Sequence, residues 1–314
     1  MANYLVEDTN PDTSRPGANL IAGIGYISGV KCMIMIDDSG IKAGAASEAT
    51  IDKALGCLDI ALKQKLPCVH LVESAGVDLP NYSVKLWSKF GSVFYKKAKL
   101  SAAGIPVIAI LHGFSTAGGA YQIGMSDYVI GVKGNGMAAL AGSALLRAAT
   151  GENASNSDIG GVEMHSVVTG SVEYLVNDDA ESIVTVRKLV DQLNWNENDA
   201  QKTILNFEDP EYPIEDLAGI VPTDYSKGYD VREVIARLVD QSVFIELKPK
   251  YGISMVCAQA KIEGIQCGII ANNGPIDTKG ATKAAQFIQL CDQANVPLIF
   301  LSNVTGYMVG VKSE

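Results

Sequence analysis

Short continuous apolar runs alternate with segments whose apolar residues recur every three or four positions, the signature of strands and amphipathic helices in turn. Ile24–Tyr26 and Cys32–Ile36 flank Ser28-Gly29 and predict a hairpin, closed by Asp37-Asp38-Ser39-Gly40. Ser47 caps a helix from Glu48 to about Gln64, with Ile51, Ala54, Leu55, Leu58, Ala61 and Leu62 along one face. After Pro67, Cys68–Val72 reads as a strand ending in the turn Glu73-Ser74-Ala75-Gly76-Val77. Over 78–103, Trp87, Phe90, Phe94 and Tyr95 are expected against a sheet, and Lys89, Lys96, Lys97 and Lys99 on a solvated face. Ile105–Leu111 is a buried strand leading through His112–Tyr121 into a short helix from about Ala120, with Ser115 and Thr116 as its caps. Asp127–Val132 is a further strand, Met137–Ala149 a small-residue loop entering a helix, Gly160-Gly161 a turn, and Asp178-Asp179 the start of a helix to about Leu193. Strands alternating with helices predict an α/β fold.

The flanking segments differ in character. Residues 1–19 are polar, with Pro11 and Pro16, and read as an irregular leader. Residues 194–230 lack periodicity and read as a linker, followed by a helix from about Asp230 to Val239 and a second domain opening at Phe244–Leu247. Domains of 1–225 and 226–314 follow.

The second domain repeats the first. Gly29–Ile34 corresponds to Gly264–Ile269, and Asp37-Asp38 to Asn272-Asn273, at an offset of 235. Leu66-Pro67 through Gly76 corresponds to Val296-Pro297 through Gly306 at an offset of 230. The first copy continues to Gly118-Gly119, whereas Glu314 lies eight residues past Gly306, so by internal symmetry the second copy is expected to be incomplete.

Composition narrows the function. A net charge of −10 argues against a nucleic-acid surface or an anionic membrane as partner. No apolar run is long enough for a transmembrane helix, and the first residues lack a secretory pattern. The six cysteines form no C-x₂-C pair and read as buried free thiols of a reducing compartment, with no metal expected.

The candidate chemistry lies at Ala117-Gly118-Gly119-Ala120-Tyr121. A glycine pair between a strand and a helix lets the backbone approach a ligand and leaves amide N–H groups without helical partners, fit for an anion or a developing oxyanion. The turn at Ala75-Gly76-Val77 ends a neighbouring strand, where open α/β sheets bind ligands.

These motifs together resemble the carboxyltransferase (β) subunits of biotin-dependent acyl-CoA carboxylases of the methylcrotonyl- and propionyl-CoA carboxylase type. The stretches that carry the resemblance include Gly23-Ile24-Gly25, Leu66–Gly76, Ser115–Tyr121, Met125-Ser126-Asp127, Ala148–Glu152, Asp178-Asp179-Ala180, Ala271–Gly274 and Asn303–Gly310. The resemblance implies a crotonase/ClpP-like superdomain repeated twice, with the second copy incomplete. It implies transfer of a carboxyl group from carboxybiotin to the α or γ carbon of an acyl-CoA, through an enolate held in a backbone oxyanion hole. By resemblance, Gly118 and Gly119 form that hole opposite Ala75, Gly76 and Val77, while Gly306 and Tyr307 begin the biotin side. Lys42 approaches the CoA adenine or phosphates, Ala117, Ala120 and Tyr121 flank the acyl group, and the loop at Ala141-Gly142, which departs from the family's Gly-Pro-Pro type, shapes its pocket. Biotin is carried on a biotin carboxylase or biotin carrier partner, and the protein is expected to be cytoplasmic and homo-oligomeric, with sites between subunits.

Three other readings compete. Gly113-Phe114-Ser115-Thr116-Ala117 loosely fits a serine nucleophile turn, but a glycine pair follows where the nucleophile's helix would begin. A biotin-dependent acyl-CoA decarboxylase would use a similar subunit. A fragment that binds CoA thioesters without turnover is the third, and the chain alone is expected to show little carboxyl transfer.

Overall fold

The computed structural model describes residues 19–78, 83–193, 195, 207–224, 227–304, 306–308 and 310. The expected leader, except Asn19, part of the expected linker, and Thr305 and Val309 of the last motif lie outside the described residues. The chain divides into two compact units, Met1–Lys188 and Leu189–Glu314.

In the first unit, β1 (Leu20–Ile27) and β2 (Val30–Asp37) form the expected hairpin. Ser28 and Gly29 both have positive φ (48° and 79°), the twist a two-residue connection needs. Helix α1 (Glu48–Gln64) has the bounds its pattern predicts. The Ser47 hydroxyl accepts from the Thr50 N–H and the Thr50 hydroxyl from the Ser47 N–H, a capping box that contributes about 1 kcal/mol. Then follow β3 (Cys68–Ser74), α2 (Val84–Ala102), β4 (Val107–Thr116), α3 (Gly118–Gly124), β5 (Tyr128–Val132), β6 (Met137–Ala139), α4 (Ser143–Thr150), α5 (Asn156–Gly160), α6 (Val162–Met164), β7 (Tyr174–Val176) and α7 (Asp179–Gln192).

The seven-stranded sheet has the order β1-β2-β3-β4-β5-β7, with β6 paired to β4. From β2 onward the pairs are parallel. Val107–Leu111 is fully buried, which explains why the centre of β4 reads as a continuous apolar run. Strand β4 runs on to Thr116 because β6 pairs with its end, Ser115 opposite Ala138 and Thr116 opposite Ala139. Ser115 and Thr116 are therefore strand residues and not helix caps. Helix α3 starts at Gly118, two residues before the expected start, behind Ala117, which makes no side-chain cap.

Helix α2 corrects the reading of its lysines. Lys89 pairs with Glu48 and Asp52, and Lys96 with Asp59, but Lys97 is fully buried. It belongs to the inward stripe Leu86, Phe90, Val93, Lys97, Leu100. Of the aromatics, Phe90 is buried, while Trp87 and Tyr95 are exposed. The Lys97 ammonium donates to the Gln122 carbonyl at 3.3 Å. Burial pushes its pKa from the ordinary 10.5 down to about 8, against the opposing pull of Cys68, Asp37 and Asp127. Charging this lysine thus costs folding energy in full below about pH 8, and the cost fades as pH rises toward 10.5. The Lys97→Met variant should be the more stable in urea unfolding at pH 7, its lead over the parent shrinking across that window by up to ~1.4 kcal/mol per pH unit. A lead that stays constant with pH would contradict this reading.

The second unit contains α8 (Leu217–Ile220), α9 (Val231–Ile235), β8 (Phe244–Leu247), β9 (Met255–Ile262), β10 (Ile265–Asn272), α10 (Thr278–Gln293) and β11 (Leu298–Leu301), with strand order β11-β10-β9-β8. Strands β9 and β10 begin and end 235 residues after β1 and β2, and they pair in the same register: Leu20 opposite Asp37, Met255 opposite Asn272. As in the first unit, the next strand, β11, joins parallel.

The division falls at Lys188/Leu189, where the sequence placed it at 225/226. Part of the expected linker is tied into the second unit. The Glu208 carbonyl accepts from the Gln241 N–H, Asp216 pairs with Arg237, and Val231, Ile235 and Val239 pack against Val256, Ile269 and Ala271. All six cysteines are free and buried. Burial raises the thiols of Cys32, Cys257 and Cys291 to about 12 and those of Cys68 and Cys267 to about 11, so they are unreactive.

Candidate functional site

Strands β3 and β4 are parallel neighbours, so the turns leaving their C-terminal ends lie side by side. Gly76, at φ +86°, brings its backbone against the other turn. A Cβ there would lie 3.2 Å from the Thr116 oxygen and 3.3 Å from the Gly118 nitrogen. The two turns that sequence reasoning singled out thus meet, and the glycine is what permits the approach.

At the second turn the backbone is constrained from behind. Ala117 holds φ +49° and ψ −121°, a conformation that costs a non-glycine residue on the order of 1–3 kcal/mol. A Cβ on Gly118 would sit 2.3 Å from Phe90 Cε1, and one on Gly119 would sit 2.5 Å from the Ser74 carbonyl oxygen. Gly119 therefore excludes a side chain, while at Gly118 a side chain would require the Phe90 ring to move. The Gly118 and Gly119 amides stand in the first turn of α3, where no helical carbonyl reaches them, and neither has a hydrogen-bond partner among the described residues.

The opposing amides are not available in the same way. The Ala75 N–H donates to the Ala43 carbonyl at 3.1 Å, and the Gly76 N–H to the Ser74 hydroxyl at 3.2 Å. Of the two facing turns, only Gly118-Gly119 leaves amide donors unpartnered among the described residues. Sequence reasoning missed the segment 42–46, which takes the Ala75 amide and anchors the Ser74 hydroxyl that takes the Gly76 amide. Val77 bridges Ala46, and the Ser74 hydroxyl donates to the Gly44 carbonyl at 2.9 Å. Lys42 opens that segment, half exposed, with its ammonium 2.7 Å from Asp78.

The remaining expected residues gather around the second turn. The Ala117 N–H donates to the Ala139 carbonyl, so the Ala141-Gly142 loop leaves β6 beside it. Gly142 precedes α4, whose first amide is taken by Asn156. Tyr121, half exposed, stacks on Phe94 with ring centres 5.5 Å apart, and Phe94 meets Phe90 edge-on at 5.0 Å. This ladder braces Gly118 from below. Its signal in the sequence was the i, i+4 spacing of Phe90 and Phe94.

Ser115, the residue a hydrolase would need, is fully buried in β4, and its hydroxyl has no partner among the described residues. In the second unit, Tyr307 bridges Ile276. Both residues lie 230 after Val77 and Ala46, so Gly306-Tyr307 occupies the framework position of Gly76-Val77. Tyr307 is exposed.

Residues 2–314 match the carboxyl transferase domain family. The chain is 43% identical over 297 residues to the mitochondrial methylcrotonoyl-CoA carboxylase beta chain of Dictyostelium discoideum, covering 94% of this chain and 50% of that protein. It is 43% identical to a probable biotin-dependent acyl-coenzyme A carboxylase beta2 subunit of Mycobacterium tuberculosis, covering 95% and 56%. It superposes on the crystal structure of a transcarboxylase 12S hexamer solved with hydrolysed methylmalonyl-coenzyme A bound, with TM-score 0.87 and 30% identity, covering 96% and 60%. The chain spans about half the length of the curated relatives it matches.

Proposed function

Since the chain belongs to the carboxyl transferase domain family, we propose that it carries the acyl-CoA side of the carboxyltransferase in a biotin-dependent acyl-CoA carboxylase. The observation that carries this reading is the pair of adjacent amides of Gly118 and Gly119, unpartnered among the described residues and set against the Gly76 turn at the C-terminal ends of β3 and β4. The thioester carbonyl oxygen lies against these two N–H groups. As the α or γ carbon loses its proton, negative charge gathers on that oxygen, and donors fixed in advance stabilise it by about 2.7–4 kcal/mol each. Neither donor must break a bond to do so.

Lys42 lies beyond Val77 on the same rim and meets the phosphates or adenine of CoA, while Ala141-Gly142 and Tyr121 border the acyl group. When bound, carboxybiotin supplies the carboxyl group, delivered by a biotin carboxylase or biotin carrier partner. Gly306 and Tyr307 fit its side of the site, since they repeat the frame of Gly76 and Val77 with an exposed ring. The shared element order and register of the two units support a crotonase/ClpP-like superdomain used twice. Sites formed between copies of a homo-oligomer complete the reading, and six free thiols favour a reducing compartment such as the cytoplasm.

The test is carboxylation of a panel of acyl-CoA thioesters by the full-length gene product assembled with its biotin partner. Biotin-dependent incorporation of labelled bicarbonate into one or more thioesters is expected. No incorporation into any of them by a correctly assembled, biotinylated complex overturns the reading.

A further inference from the structure

Behind the double-glycine turn lies a cavity of about 30 Å³ between β2, β3 and helices α1, α2 and α3. Its polar lining comes from Asp37, Thr50, His70, Ser74 and Gln122. Three of these are satisfied. Asp37 Oδ1 lies 3.1 Å from His70 Nε2 and its Oδ2 accepts from the Glu73 N–H, Thr50 donates to Asn19 Oδ1 at 2.6 Å, and Ser74 donates to the Gly44 carbonyl. His70 Nδ1 and Gln122 Oε1 are not satisfied. Both are buried and without a partner among the described residues, on side chains of residues only 3% and 8% exposed. A buried polar atom left unpaired costs about 1–3 kcal/mol.

The chemistry of the two atoms specifies the guest. With the Asp37 carboxylate beside Nε2, the proton of a neutral imidazole sits on Nε2 and donates to it, which leaves Nδ1 an acceptor. Gln122 Oε1 is an acceptor too, so the two cannot satisfy each other. A water molecule carries two O–H donors and needs only about 10–15 Å³ of such space. We propose that this cavity binds one water molecule, which donates to His70 Nδ1 and to Gln122 Oε1 and ties the Asp37–His70 pair to helix α3.

The consequence reaches the catalytic turn. Gln122 is held through its side chain by this water and through its carbonyl by the buried Lys97, and it sits one turn beyond Gly118-Gly119 on the same helix. His70 and Gln122 are then positioning residues for the two amides, a step that rests on the function proposed above.

Two measurements on the unmodified chain decide the water. A crystal structure should show one ordered solvent peak within hydrogen-bonding distance of both atoms. The ¹⁵N spectrum of the His70 ring should show the Nε2–H tautomer with a hydrogen-bonded Nδ1. An empty cavity, a direct His70–Gln122 bond or an Nδ1–H tautomer overturns it. For positioning, His70→Phe, Gln122→Met and the milder Gln122→Asn are compared in the assembled enzyme. A fall in kcat of about tenfold or more, with KM for acyl-CoA little changed, is expected of His70→Phe and Gln122→Met, with Gln122→Asn in between. Unchanged kcat in folded variants removes the positioning role and leaves the water site. An assembled enzyme inactive before any substitution refutes the function and leaves the two water measurements intact.

Discussion

Gly119→Ala in the assembled enzyme should lower kcat by about 10²–10³-fold, the loss expected when an oxyanion donor is displaced. The added Cβ meets the Ser74 carbonyl oxygen at 2.5 Å and Ser74 Cβ at 3.0 Å. Ser74 cannot yield, because its hydroxyl is anchored to the Gly44 carbonyl and its backbone ends β3. The turn must move instead, and both amides move with it. Gly118→Ala is a different case. Its Cβ meets Phe90 Cε1, the end of a side chain, so the double variant Gly118→Ala/Phe90→Leu should recover part of the activity that Gly118→Ala loses. Steady-state kinetics on the three variants checks both expectations. Near-normal turnover by Gly119→Ala would remove the oxyanion hole from this turn.

The largest effect on stability is expected at Glu246. Its Oε1 accepts from Lys283 Nζ at 3.1 Å and from Arg232 Nη2 at 3.0 Å, and its Oε2 accepts from Arg232 Nε at 2.7 Å. Lys283 is fully buried. Burial lowers its pKa although Glu246 works to raise it, and the hydrogen bonds to Glu246 raise that of Arg232. The carboxylate thus holds α9 and α10 to β8. Glu246→Gln leaves a buried ammonium without its counter-charge and should cost about 3–5 kcal/mol. Urea unfolding followed through Trp195 reports on the second unit, since Trp87, the other tryptophan, lies in the first. Glu246→Gln combined with Lys283→Met should be markedly less destabilised, because the fully buried ammonium is gone and Arg232, partly exposed, keeps its ion pair with Asp230. Equal losses in the single and double variants would show that packing, and not charge, dominates there.

Much of the frame was legible because it is written in local patterns. Ser47, Thr50 and the spacing of Ile51 to Ala61 fix α1 to its bounds, and two anchored offsets reveal the duplicated strands before any coordinates. The facing glycine turns were legible too, because strand ends and glycine pairs are local signals. What escaped depends on partners distant in sequence. The Ala75 and Gly76 amides look available until the 42–46 segment and the Ser74 hydroxyl take them. His112–Thr116 reads as a polar turn until β6 pairs with it. Lys97 was misread for another reason: its spacing from Phe90, Val93 and Leu100 places it inside, but its charge argued louder than its position. The unit boundary escaped because composition marks where periodicity stops, not which side a segment packs against.

In the main sheet each strand from β2 to β5 lies beside the strand made just before it. A ribosome releases the chain in that same order, so every new strand meets a partner already synthesised, and each addition closes only one crossover loop. The turns that supply and wall the amide pair come from consecutive strands, β3 and β4, followed directly by α3. The proposed acyl-CoA half of the site can therefore be in place once β6, whose Ala139 carbonyl holds the Ala117 N–H, has emerged from the exit tunnel, with the whole second unit still to be translated.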